Sequence, residues 1–170
     1  MAGTTTNNGW TYPTSTDYVK DGATAIQTLA TGIDTSTGKG LVAWQSYTPS
    51  VGSWSIGNGV FDSKYCQIGK TVIWNMKVTS GSTTVYGNPS FTLPVQASTS
   101  GSYMYPAVVG MLVAGNFYQG FVWVSTVSQV NLSVSNAAST YLTVSSLSTS
   151  VPATWNTGST INFCLVYQGV

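Results

Sequence analysis

Between Thr71 and Val78 the side chains alternate with a period that admits one backbone conformation. Val72, Trp74, Met76 and Val78 fall on one face, and Thr71, Asn75 and Lys77 fall on the other. Alternation of period two is the pattern of a β-strand with one face buried. Ile73 interrupts the polar face, which predicts partial cover on the second side by another sheet or a neighbouring chain. The turn chemistry of Ser80-Gly81-Ser82 then predicts that Thr83–Tyr86 runs back alongside this strand as its hairpin partner.

The rest of the chain reads as more strands of the same kind. From Lys39 onward short apolar stretches are separated by Gly, Pro, Asn and Ser. They place strands at 41–47, 53–56, 60–68, 71–79, 83–86, 90–93, 103–113, 117–124, 129–134, 140–144 and 160–167. Gly57-Asn58-Gly59, Asn88-Pro89, Gly115-Asn116 and Asn156-Thr157-Gly158 mark turns. Strands at this spacing, with no helices between them, predict a mainly β fold, a jelly-roll-like β-sandwich.

The surface of such a sandwich must be polar without being charged. The 170 residues carry five Lys, four Asp and no Arg, Glu or His, and nothing after Lys77 is charged. A soluble domain has about a quarter of its residues charged. Disorder does not account for the difference, because six Trp and ten Tyr are far too many for a disordered chain. Ser, Thr, Asn, Gln and Tyr must therefore face the solvent.

The same composition excludes whole classes of function. Nucleic-acid binding needs clustered Lys or Arg, and the net charge is +1 with no Arg. No apolar run is long enough to span a bilayer, and the first residues lack the basic and apolar regions of a signal peptide. The expectation is a soluble protein made in a cytosol. Without His or Glu, a Ser or Cys nucleophile lacks its usual base and zinc lacks its usual imidazole ligands, so no catalytic residue, metal site or cofactor is expected. A glycosidase could use two Asp, but Asp17, Asp21 and Asp34 belong to the N-terminal region and only Asp62 to the sandwich. Cys66 and Cys164 could form one bridge; two buried free thiols are the favoured reading.

Two segments precede the sandwich. Residues 1–16 form a polar arm whose one apolar knot is Trp10, Tyr12 and Pro13, too short to make a core. Residues 17–34 hold the single helical pattern, with Asp17 or Asp21 placed to cap it. Ile26, Leu29 and Ile33 recur at spacings of three and four, with Val19 a heptad before Ile26. A helix of about a dozen residues is marginal alone in water, so this stripe needs a partner. It either packs on the chain's own β domain or forms a three-stranded bundle with two other copies.

With catalysis set aside, recognition remains. Aromatic rings among Ser, Thr and Asn suit sugars, whose apolar ring faces stack on them while amides and hydroxyls bind the sugar hydroxyls. Tyr103, Tyr105, Tyr118, Trp123, Tyr141 and Trp155 are available, and Tyr103, Tyr118 and Trp123 are the candidate glycan-binding set. For any one of them the favoured reading is a place in the core or a subunit interface.

The stretch Gly9-Trp10-Thr11-Tyr12-Pro13-Thr14-Ser15-Thr16-Asp17-Tyr18-Val19-Lys20-Asp21-Gly22-Ala23, followed by Ala25-Ile26, Leu29-Ala30 and Ile33-Asp34, resembles a segment of tail-fibre and other virion surface proteins of phages infecting actinobacteria. Tyr47-Thr48-Pro49, Gly57-Asn58-Gly59, Ile68-Gly69-Lys70-Thr71-Val72, Gly87-Asn88-Pro89 and Val151-Pro152-Ala153-Thr154-Trp155 resemble the β domain that follows it. The chain's ending, Val166-Tyr167-Gln168-Gly169-Val170, departs from the Gly-x-Tyr-Glu-like close of such domains. The resemblance implies a homotrimeric virion surface protein. Its helix (17–34) would trimerise through Val19, Ile26, Leu29 and Ile33. Its arm (1–16) would dock through Trp10, Tyr12 and Pro13 on another virion protein. Its head (35–170) would bind host cell-wall polysaccharide. A capsid decoration or head-fibre protein is the alternative, and a glycan-degrading enzyme a distant one.

Overall fold

The computed structural model describes residues 3–5, 9–16, 18–40, 43–99, 104–138 and 140–170. The chain divides into two compact units, Met1–Ala43 and Trp44–Val170.

In the first unit β1 (Gly3–Thr4) pairs antiparallel with β2 (Thr11–Tyr12). The Tyr12 ring crosses this small hairpin onto Gly3, where a Cβ would fall 2.7 Å from the ring. A 3₁₀ turn at Val19–Asp21 leads into α1 (Gly22–Gly40). The helix therefore starts later than the sequence pattern predicts and runs six residues past Asp34. Asp17 lies outside the described residues. Asp21 falls within the 3₁₀ turn, where its N–H donates to the Tyr18 carbonyl at 2.9 Å. Thr28 and Thr31 donate their hydroxyls back to the carbonyls of Thr24 and Gln27, which lets threonines sit in mid-helix.

The apolar knot of the arm is engaged inside this unit. Trp10 lies over Gly32 of α1, its Cδ1 3.3 Å from where a Cβ would be. Of the helical stripe, Leu29 is half-buried, while Val19, Ile26 and Ile33 are exposed.

The second unit is mainly β. Its strands are β3 (Gln45–Ser46), β4 (Val51–Gly52), β5 (Val60–Ile68), β6 (Thr71–Thr79), β7 (Ser90–Thr92), β8 (Met104–Val113), β9 (Asn116–Thr126), β10 (Gln129–Asn136), β11 (Thr143–Ser146) and β12 (Thr160–Gln168). All pairings are antiparallel, in the order β3-β5-β6-β12-β8-β9-β10-β7-β4, with β11 beside β7 on the same edge of β10. The sheet curls, because Phe91 on β7 lies 6.3 Å from the Phe61 ring of β5 and 6.4 Å from the Phe163 ring of β12. Strands near opposite ends of the order thus face each other across one core.

That core is built from the alternating faces. Val72, Trp74, Met76 and Val78 of β6 meet Ile161, Phe163, Leu165 and Tyr167 of β12, with Val109 and Met111 of β8 and Val122 of β9. Ile73, on the other face, is half-buried. Thr83–Tyr86 is not the partner of β6. Both edges of β6 are occupied, by β5 through the two-residue turn Gly69-Lys70 and by β12, so Val85 instead bridges Ser55. The cysteines are free; Cys66 is buried as expected, but Cys164, on the outward face of β12, is exposed.

Candidate functional site

The outward face of β5, β6, β12, β8 and β9 carries a depression of about 660 Å³. Strand register assembles it row by row. Asp62, Lys77, Asn162 and Gly110 lie side by side on β5, β6, β12 and β8. Lys64, Asn75 and Cys164 form the next row. Trp44, just before β3, and Phe117, on β9, also line the depression, together with Val108. Neighbouring strands lie about 4.8 Å apart, so a path from β5 to β9 covers roughly 19 Å.

Its floor depends on a missing side chain. A Cβ on Gly110 would fall 2.9 Å from Asn162 Oδ1 and 3.0 Å from Phe117 Cζ, so the glycine lets the Phe117 ring lean inward across β8. Even so, 71 % of Phe117 is exposed, and Trp44 is 45 % exposed. Exposed apolar side chains are common on this unit, so the two rings matter through their place beside Val108 at the rim of one depression.

The polar lining is equally uneven. Beyond Ala43 the chain has four charged side chains, Asp62, Lys64, Lys70 and Lys77, and three of them line this one depression. Among the described residues, Asp62, Lys64, Lys77, Asn75 and Asn162 form no side-chain hydrogen bond or ion pair with one another or with the rest of the unit. The depression therefore offers two ammonium groups, two amides and one carboxylate with free bonding capacity, bordered by two aromatic rings. One carboxylate does not make the pair that glycoside hydrolysis uses. No group of three or more His, Cys, Asp or Glu side chains that could hold a metal occurs among the described residues.

Among the described residues, the candidates from the sequence lie elsewhere and do not converge. Tyr118 and Trp123 are five positions apart on one strand, an odd offset, so they point to opposite faces of the sheet. Tyr118 sits opposite Met111 and packs against the core. Trp123 is half-buried on the outward face, opposite Asn131, and is about 20 Å along the strand from Phe117. Tyr103 lies outside the described residues. Trp155 is buried against Trp54, their ring centroids 5.4 Å apart, and Tyr105 packs against the core. Tyr141 is exposed and does not line the depression.

Part of the signal for the depression was present in the sequence. A two-residue turn at Gly69-Lys70 pairs position 62 with 77 and 64 with 75, which groups the charged side chains on one face of a hairpin. Phe117 and Asn162 could not be added without the strand order. Comparison with protein-family models, curated proteins and solved structures finds no match.

Proposed function

We propose that the chain is a virion surface protein of the tail-fibre or receptor-binding type, whose β unit binds host cell-wall glycan in the depression between Trp44 and Phe117. The observation that carries this reading is the concentration of free charged and amide side chains between two exposed rings, on a unit otherwise almost without charge. Stacking on the rings supplies affinity for apolar sugar faces, and Asn75, Asn162 and Asp62 supply hydrogen bonds to hydroxyls. In this reading the curled sheet is the jelly-roll-like head of a homotrimer, α1 joins the three copies through Ile26, Leu29 and Ile33 with Val19 of the preceding 3₁₀ turn, and the arm meets another virion protein. The exposure of Val19 and Ile26 fits such a bundle. The assigned sugar site moves from Tyr103, Tyr118 and Trp123 to the depression.

The test is affinity electrophoresis through immobilised wall polysaccharide. Trp44→Ala and Phe117→Ala should each weaken retention about three- to tenfold, the worth of one aromatic contact, with an unchanged circular dichroism spectrum. Undiminished retention by the double variant would refute the site. Antibody labelling of intact particles separates the alternatives: label on the tail supports receptor binding, and label over the capsid supports a decoration or head-fibre role.

A further inference from the structure

We infer that the ligand of this depression is an acidic polysaccharide, lying across the strands with a carboxylate or phosphate at Lys64 and Lys77 and a sugar ring on Phe117. The inference rests on the glycan reading and adds the charge and direction of the ligand. Lys64 and Lys77 occupy adjacent strands on one face, in neighbouring rows. Asp62, directly opposite Lys77 and two residues from Lys64, offsets one of these two charges. The β5–β6 end of the depression therefore keeps a net positive charge.

The opposite end is different in kind. Val108, Gly110 and Phe117 on β8 and β9 present apolar surface and a ring, with no charged group in their rows on those strands. A neutral glycan would leave both ammonium groups facing hydroxyls alone. One acidic substituent per repeat gives them a charge-assisted partner, while its neighbouring ring reaches Phe117. The same lysines also explain selectivity within a near-neutral chain: a polyanion finds one attractive place on the β unit apart from Lys70 at the β5–β6 turn.

Cys164 provides the assay. Its thiol lines the depression and is exposed, whereas Cys66 is buried, so a neutral maleimide should modify Cys164 first in the folded full-length chain. The alkylation rate is followed by mass spectrometry with polygalacturonate, poly(glycerol phosphate) or dextran present. Slowing by one or both anionic polymers and little slowing by dextran is expected, and whichever polymer protects identifies carboxylate or phosphate as the group bound. Protection should fade between about 0.05 and about 0.5 M salt as the Debye length shrinks. Lys64→Gln with Lys77→Gln should raise the polymer concentration needed by about tenfold, from roughly two- to fivefold for each exposed pair. Lys70→Gln, outside the depression, should leave it unchanged. Equal protection by dextran, with no effect of the lysine changes, would overturn the acidic ligand and leave glycan binding standing. Protection lost equally in Lys70→Gln would reduce the effect to general attraction and overturn the seat at Lys64 and Lys77. If no polysaccharide slows the reaction, the acidic ligand and the glycan reading fall together.

Discussion

Ser63→Ala should be among the most damaging single-atom deletions in the β unit. Trp74 is fully buried at the centre of the core, and its indole N–H donates to Ser63 Oγ on the neighbouring strand at 2.9 Å. The rings of Tyr47 and Phe163 stand edge-on to it, with centroids 6.0 and 5.0 Å away. Ser63 is itself 6 % exposed, so water does not replace its hydroxyl when it is removed. Alanine keeps the volume nearly constant and leaves a buried donor unsatisfied, which costs about 1–3 kcal/mol. For a unit of this size each kcal/mol moves the midpoint by about 3–5 °C, so a loss of roughly 2 kcal/mol lowers Tm by about 6–10 °C. Urea unfolding followed by circular dichroism should show a lower midpoint at constant slope. The decisive comparison is a double-mutant cycle with Trp74→Phe, which removes the donor at its own packing cost. Ser63→Ala in that background should be neutral within about 0.5 kcal/mol. An equal cost in both backgrounds would show that the hydrogen bond is not the cause.

Three further outcomes follow from other parts of the molecule. In the two-residue turn joining β8 and β9, Ala114 has φ 51° and Gly115 φ 81°, a combination that disfavours alanine; Ala114→Asn should stabilise by about 1 kcal/mol, and an unchanged or lower Tm would contradict this. Burial raises the Tyr167 phenol above its ordinary value of 10.0, and its hydroxyl donates to the Val95 carbonyl at 2.7 Å. Because the folded state holds that proton more tightly, its contribution is full below about pH 10 and is lost as pH rises further, by up to about 1.4 kcal/mol per pH unit; Tyr167→Phe should flatten this alkaline loss, and an unchanged slope would exclude Tyr167 as its source. Light scattering should give a trimer for the full chain and a monomer for residues 44–170, whereas a stable trimer of 44–170 would place the assembly contacts in the β unit.

How much of this fold was legible follows from how local each signal was. β5 and β6 begin and end at the residues predicted, 60–68 and 71–79, because the alternation along 71–78 and a two-residue turn with Gly69 at φ 57° act within a single hairpin. The segment 83–86 was misplaced for the opposite reason. Its composition suits pairing, but which edge it meets depends on β12, more than seventy residues away. Trp155 shows the same limit: a core place and a sugar-binding place were both open for it, and only the fold buries the ring against Trp54 and Tyr86, with its N–H donating to the carbonyls of Ser148 and Val151.

The sequence by itself determined that this chain is mainly β and that an N-terminal helix precedes the sheet. Both rest on periodicity and composition, which act residue by residue along the backbone. The tight turn at Gly69-Lys70 also carries the signal that gathers the few charges of the β unit on one hairpin, a pairing that the expected partnership of 71–79 with 83–86 left out. Only the tertiary structure decided that Phe117, Asn162 and Trp44 join those charges. Their strands become neighbours through long-range order, and Gly110 matters because a ring from another strand leans over it. Side-chain parity on β9 likewise separates Tyr118 from Trp123, because facing depends on register with β8 and β10 and not on residue type.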